Sequence, residues 1–178
     1  MTSEIVDNLL VKISQYIKKN MPQLALQTSE DIIKLEQGAI GWYSLALSKY
    51  NAEQYDEGLA AIAKAAEIDP KKKEIWILGG YLLIATRQYN EAKQAFDYAL
   101  EIDENDFEAN FGLFICYIIQ KDEQMAKKIY EKLKELDQPS LAKMLYYFYE
   151  NFYSGSNTIN QDVKEDLEIL IKKFLVEK

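Results

Sequence analysis

The sequence predicts an all-α protein, an antiparallel helix-hairpin superhelical array with an N-terminal helical hairpin and a C-terminal capping helix. Three observations carry this expectation. Residues 39–72 are echoed by residues 73–106 at a spacing of 34: Trp42 returns as Trp76, Tyr55 as Tyr89, Lys64-Ala65 as Tyr98-Ala99, and Glu67-Ile68-Asp69 as Glu101-Ile102-Asp103. A period of about 20 to 50 residues marks stacked supersecondary units rather than one conventional core. Within each unit apolar residues recur at i, i+3 and i+4, the period of a helix face. Breakers are scarce, with seven Gly and three Pro in 178 residues, so long stretches are left to helices.

Residues 3–19 read as a helix with Ser3 as its N-cap and Val6, Leu9, Leu10, Ile13, Tyr16 and Ile17 as its apolar stripe. Asn20-Met21-Pro22 ends it, and Pro22 suits the first turn of a second helix reaching about Glu36. That helix carries Leu24, Ala25, Ile32 and Leu35. Residues 6–38 are therefore a degenerate repeat or a cap for the stack.

In the unit 39–72, Trp42, Leu45, Ala46 and Lys49 share one helix face, answered by Gly58, Ile62 and Ala65 on a partner helix near 55–68. In the unit 73–106, Trp76, Gly79, Gly80 and Leu83 are answered by Ala92, Phe96 and Ala99. The small residues let helix axes approach closely and the large rings fill what remains. Asp69-Pro70 closes one unit, because a proline disfavours helix in the residue before it. Asp103 and Asp106 are candidate caps for the next helix.

A third, looser unit occupies 107–140, with helices near 107–120 and 123–136 and with Tyr117, Ala126, Tyr130 and Glu135-Leu136-Asp137 in register. Phe114 stands where the earlier units have Ala46 and Gly80, so packing there must be looser or rearranged. Ser140 reads as the cap of an aromatic helix to about Tyr153, Ser154–Thr158 as a loop, and residues from about Gln161 as the closing helix. Residues 141–178 are thus a degenerate hairpin and closing helix, which a terminal repeat needs to shield its open face. The whole chain, 1–178, reads as one domain.

Composition excludes several function classes. The formal charge of −8 and a single arginine, Arg87, leave no basic footprint for nucleic acid and almost no bidentate phosphate grip. With no histidine, the commonest general base, the Ser-His and Cys-His nucleophile pairs and most zinc sites are missing. Cys116 is the only cysteine and reads as a buried thiol in a reducing compartment. Glu4 and Asp7 stand where an export signal carries positive charge. The longest apolar run, Phe111–Ile119, is too short to span a membrane. These features lead us to expect a cytoplasmic, non-enzymatic protein without cofactor or metal.

The repeated residues resemble a tetratricopeptide-repeat (TPR) protein, whose pattern places Trp, Leu, Gly and Tyr on the first helix and Ala, Phe, Ala and Pro on the second. That pattern appears as Trp42, Leu45, Ala46, Ala65 and Pro70, then as Trp76, Gly80, Ala92, Phe96 and Ala99, then as Leu113, Tyr117, Ala126, Tyr130 and Pro139. The resemblance covers 39–140 and implies a protein-binding scaffold, with the first helix of each unit lining a concave groove. The groove positions lie about 100° round the helix from the packing stripe. They are Tyr43, Leu47 and Tyr50, then Ile77, Tyr81 and Ile84, then Phe111, Ile115 and Ile118, continued by Leu145, Tyr149, Phe152 and Tyr153.

Such a groove is apolar and aromatic, and it suits a protein or peptide segment with apolar anchors. Three buried anchors at about 1.5–3 kcal/mol each offset association costs of at least about 4 kcal/mol by little, so a long segment is expected. The alternative is a groove filled by the closing helix or by a second copy in a homodimer. One branch of the family clamps acidic chaperone tails with cationic and amide side chains. The matching positions here, Tyr43, Leu47, Leu78, Glu108 and Gly112, cannot grip a carboxylate. The plan is also similar to small three-repeat type III secretion chaperones that hold translocator proteins.

Two further stretches carry weaker signals. Asp103-Glu104-Asn105-Asp106-Phe107-Glu108 lacks the turn glycine of a calcium loop and sits where helix caps belong. Asp162, Glu165, Asp166 and Glu168 read as the solvated first turn of a helix.

Overall fold

The computed structural model describes residues 2–148, which form eight helices and, among the described residues, no strand. They are α1 (Thr2–Lys18), α2 (Pro22–Leu35), α3 (Ala39–Asn51), α4 (Tyr55–Ile68), α5 (Lys73–Ala85), α6 (Tyr89–Ile102), α7 (Phe107–Ile119) and α8 (Glu123–Phe148). They fall into two compact units, the first ending at Glu104 and the second beginning at Asn105. The expected closing helix, the Ser154–Thr158 loop and the acidic group at 162–168 lie outside the described residues.

The first unit holds three hairpins, α1–α2, α3–α4 and α5–α6, joined by packing of α2 on α3 and of α4 on α5. Val6, Ile13, Ala25 and Ile32 form one core cluster, so the expected N-terminal hairpin is present and packed. Ala46, Ile62, Ala65, Ile75, Leu78 and Leu82 belong to the next. Two expectations for α2 are corrected. Leu24 and Leu35 are exposed, while Leu26 is buried in their place. The α2–α3 seam also buries hydroxyls: Ser29 Oγ lies 2.7 Å from Ser48 Oγ and donates to a carbonyl of its own helix, as Ser44 Oγ does on α3.

One turn joins the two helices of every hairpin. Asn20, Glu53, Arg87 and Lys121 each adopt the left-handed conformation, with φ of 54°, 60°, 63° and 59°. The next amide then reaches back over the turn: Met21 N–H to Tyr16 O at 2.8 Å, Gln54 to Lys49 at 2.9 Å, Gln88 to Leu83 at 2.8 Å and Asp122 to Tyr117 at 2.9 Å. These are Schellman closures, which satisfy carbonyls left open at a helix C-terminus. None uses the glycine that normally occupies this position. The same turn in α1–α2 marks the N-terminal hairpin as a repeat in geometry where its residues had drifted.

Close helix approach depends on two glycines. A Cβ on Gly58 would lie 2.7 Å from Leu82 Cδ2, and one on Gly80 would lie 2.5 Å from Phe96 Cζ. The second unit solves the same problem differently. Phe114 is buried, and its ring tilts against Tyr130 at 6.1 Å and Phe111 at 6.0 Å, which is the local rearrangement its bulk demands.

The expected caps divide. The Asp106 carboxylate accepts from the Ala109 amide at 2.8 Å and caps α7. Asp103 instead ends α6 and pairs with Lys73 at 2.6 Å. Ser140 is not the cap of the aromatic helix. Asp137, with extended backbone (φ −162°, ψ 92°), breaks α8, and its carboxylate accepts from both the amide and the hydroxyl of Ser140. Pro139 then falls in a first turn, where its missing N–H costs nothing. At the N-terminus, α1 already begins at Thr2, so Ser3 lies inside its first turn.

Candidate functional site

The face expected to bind a partner is carried in the first unit by α3 and α5, each 13 residues long and in direct contact. The 34-residue register sets Tyr43, Leu47 and Tyr50 on α3 level with Ile77, Tyr81 and Ile84 on α5. Tyr43, Leu47 and Tyr50 are half-buried, their inner edges packed on the cluster around Ala46 and Leu82. Tyr81 is half-buried too, with its ring edge-on to Phe96 at 5.3 Å and 74°. Ile77 and Ile84 are buried.

Tyr55 extends this face from the start of α4. Its ring lies 5.8 Å from Tyr50, and burial, reinforced by Glu53, raises its hydroxyl pKa, so it stays neutral and protonated. The sequence reading passed over Tyr55 as a partner for the face, although its recurrence as Tyr89 marked the position as constrained. Behind the tyrosines, Lys49 stands where the family pattern has a ring. Its Nζ reaches Gln54 at 2.7 Å and Glu57 at 2.5 Å, closing α3 on α4 through an ion pair.

In the second unit Phe111, Ile115 and Ile118 are all buried, as are nine of the thirteen α7 residues. A helix that is apolar nearly all round sits inside the protein rather than on its surface. Phe107 stacks on Phe111 at 6.4 Å with ring planes 10° apart, and Leu145 of α8 is buried as well. Tyr149 lies outside the described residues. Of the expected stripe, Tyr43, Leu47, Tyr50 and Tyr81 are therefore the half-buried members among the described residues.

The positions that would clamp an acidic tail hold no cation: Tyr43 and Leu47 are half-buried, Leu78 and Gly112 are buried, and Glu108 is exposed. Among the described residues no group of three or more acidic or cysteine side chains is gathered to hold a metal ion. No helix among them is long and apolar enough to cross a membrane.

Comparison with known proteins places this geometry. The crystal structure of MamA is similar with a TM-score of 0.65 at 16% identity, over 77% of this chain and 81% of that one. The second TPR domain of human RPAP3, solved with an HSP70 peptide, is similar at 0.58 and 16% identity, over 65% of this chain and 98% of the domain. A mutant O-GlcNAc transferase of Thermobaculum terrenum matches at 0.70 and 14% identity, over 76% of this chain but 26% of the transferase. At such identities the likeness establishes the fold. Among curated proteins none matches the sequence. A family model does: that of the Tetratricopeptide repeat protein 21 second ARM domain matches residues 46–175, most of the chain. Hairpins in a 34-residue register, closed by one recurring turn and covered by that match, show that the chain belongs to the family of the Tetratricopeptide repeat protein 21 second ARM domain, a TPR-type helical repeat.

Proposed function

We propose that the chain is a non-enzymatic protein-interaction module that takes a partner segment on the α3–α5 face by apolar and aromatic anchors. The observation that carries this is the half-burial of Tyr43, Leu47, Tyr50 and Tyr81 in one register of α3 and α5, each packed in part against the core. Rings fixed in this way lose little side-chain entropy on contact, which suits them as anchors. A domain of the same fold in human RPAP3 was solved holding an HSP70 peptide, which supports peptide capture as a use of the architecture. The partner chemistry here differs, because the face offers rings and methyl groups rather than cations. Its cellular role would be that of a cytoplasmic adaptor or client-holding chaperone, of which a translocator chaperone is one form.

A specific observation favours a second reading. Ile77, Ile84, Phe111, Ile115 and Ile118 are buried by atoms of this chain alone. Part of the expected groove is therefore occupied from within, and a partner would meet only the remainder.

Photo-crosslinking tests the first reading. A crosslinking residue at Tyr43 in the native cell should give one discrete product, lost when Leu47→Asp is added. A product that persists in Leu47→Asp, or that forms equally from Lys64, overturns the proposal. A crosslink confined to the chain itself establishes the second reading.

A further inference from the structure

The helices α3, α5 and α7 carry Leu45, Gly79 and Leu113 at one position of the 34-residue register. Leu45 packs against the core cluster around Ala46 and Leu82, and Leu113 is buried. Gly79 has no side chain to place there. Its surroundings are the reverse of those of Gly80, where the Phe96 ring takes up the space. A Cβ on Gly79 would meet only Ile62 Cγ2, at 3.9 Å, which is ordinary contact. Glycine in a helix interior costs about 1 kcal/mol against alanine, and no close approach requires it at this position. Departures of this kind from local consistency concentrate at functional sites.

The unfilled space is a pocket of about 160 Å³ among α4, α5 and α6. Leu59, Ile62 and Ala66 line it from α4, and Trp76, Gly79 and Leu83 from α5. No lining residue carries a charge, and the Trp76 indole nitrogen is the one polar side-chain atom among them. Its N–H is already given to the Pro70 carbonyl at 2.7 Å, and its ring lies 4.9 Å from that of Tyr98. Trp76 is thereby fixed as a wall of the pocket and has no donor left for an occupant.

Size and chemistry select that occupant. An apolar cavity of about 150 Å³ stays dry and takes up a benzene-sized molecule, whereas drug-sized ligands need about 300–1,000 Å³. A peptide inserting one side chain would bring its own backbone amides to the rim. The lining side chains have nothing to pair with them. We propose that the pocket binds a small apolar molecule of one ring, or a branched aliphatic of similar size, where the other two repeats carry leucine. The site includes none of Tyr43, Leu47, Tyr50 and Tyr81, so it stands apart from the α3–α5 face.

Benzene is the probe, titrated with the full chain and followed by ligand-observed NMR. The parent should bind it saturably, and its melting temperature should rise with benzene concentration. Gly79→Leu restores the residue of the other two repeats, fills the pocket and should abolish saturable binding. Gly79→Ala adds one methyl group with room to accept it, so it reports on the site even if the leucine variant fails to fold. It should weaken binding severalfold. The proposal is overturned if the parent shows no saturable binding, if binding is unchanged in Gly79→Ala, or if it survives in a folded Gly79→Leu. Ala63, an exposed residue of the lining, provides the last check. A protein crosslinked from a photoreactive residue at that position, and lost in Gly79→Ala, overturns the proposal in favour of a side chain from another protein or a second copy.

Discussion

The ring of Phe96 fills the place where Gly80 has no side chain: a Cβ there would lie 2.5 Å from Cζ, and Phe96 is fully buried. Gly80→Ala therefore sets two effects against each other. Alanine gains about 1 kcal/mol of helix propensity, and overpacking a closed core costs about 1–3 kcal/mol. The contact lies well inside van der Waals distance and involves three atoms of a fully buried ring, so the variant should be less stable by about 1 kcal/mol. Urea unfolding measures this, and Phe96→Leu should relieve part of the loss in a double-mutant cycle. A raised midpoint for Gly80→Ala would show that the ring can move aside.

The four left-handed turn residues give a prediction of opposite sign. Glu53 and Lys121 hold φ near 60° with side chains that disfavour it. Relief of about 1–2 kcal/mol of backbone strain, less the entropy that glycine adds to the unfolded chain, should make Glu53→Gly and Lys121→Gly each more stable by about 0.5–1 kcal/mol. Asn20→Gly should gain least, because asparagine tolerates this conformation. A fall in the urea midpoint of Glu53→Gly would mean that its side chain contributes more than its strain costs.

The fold was legible because repetition is a signal that single-segment propensity cannot imitate. Trp42 and Trp76 fixed the register, and helices at 55–68 and 107–119 followed within a residue. The site was legible only in part. Spacing assigns Leu47 and Ile115 to equivalent positions, yet one is half-buried and the other buried, since burial depends on what the rest of the chain lays over each helix. Leu35 was misread for a related reason. Helical spacing put it in the stripe of α2, but its place at the last residue of the helix carries it past the core. The cap went to Asp137 rather than Ser140 because both residue types serve as caps, and only the extended backbone at 137 decides between them.

That cap makes stability in the second unit depend on pH. Hydrogen bonds from the Ser140 hydroxyl, and then from its amide, hold the Asp137 carboxyl below its ordinary pKa. A depressed acid binds its proton more weakly in the folded chain than in the unfolded one. Its stabilising contribution is therefore complete above the ordinary carboxylate range and is lost as pH falls through that range and below. Asp137→Asn keeps an acceptor at the cap but should flatten the part of the acid-side stability profile due to this residue. Asp137→Ala should lower the neutral-pH midpoint as well. Identical acid profiles for parent and Asp137→Asn would remove this residue from the account.

Leu47 and Ile115 hold equivalent positions in their repeats, and their different burial separates a proposed binding residue from a core residue. Leu47 is half-buried, so the carboxylate of Leu47→Asp can turn to water in the free chain, and the melting temperature should change little. On contact with a partner segment that carboxylate must be desolvated without a counter-charge, so binding should fall steeply. Ile115 is 3% exposed. Ile115→Asp buries the same charge before any partner arrives, and the free chain should lose about 3–5 kcal/mol, the range of the most damaging single substitutions. Thermal and urea unfolding of both variants, alongside crosslinking from Tyr43, distinguishes the cases. Large destabilisation by Leu47→Asp would mean that α3 faces the interior as α7 does, and would leave the chain without an open concave face. An unchanged melt for Ile115→Asp would instead mean that whatever covers α7 is readily displaced, and would extend the binding face onto that helix.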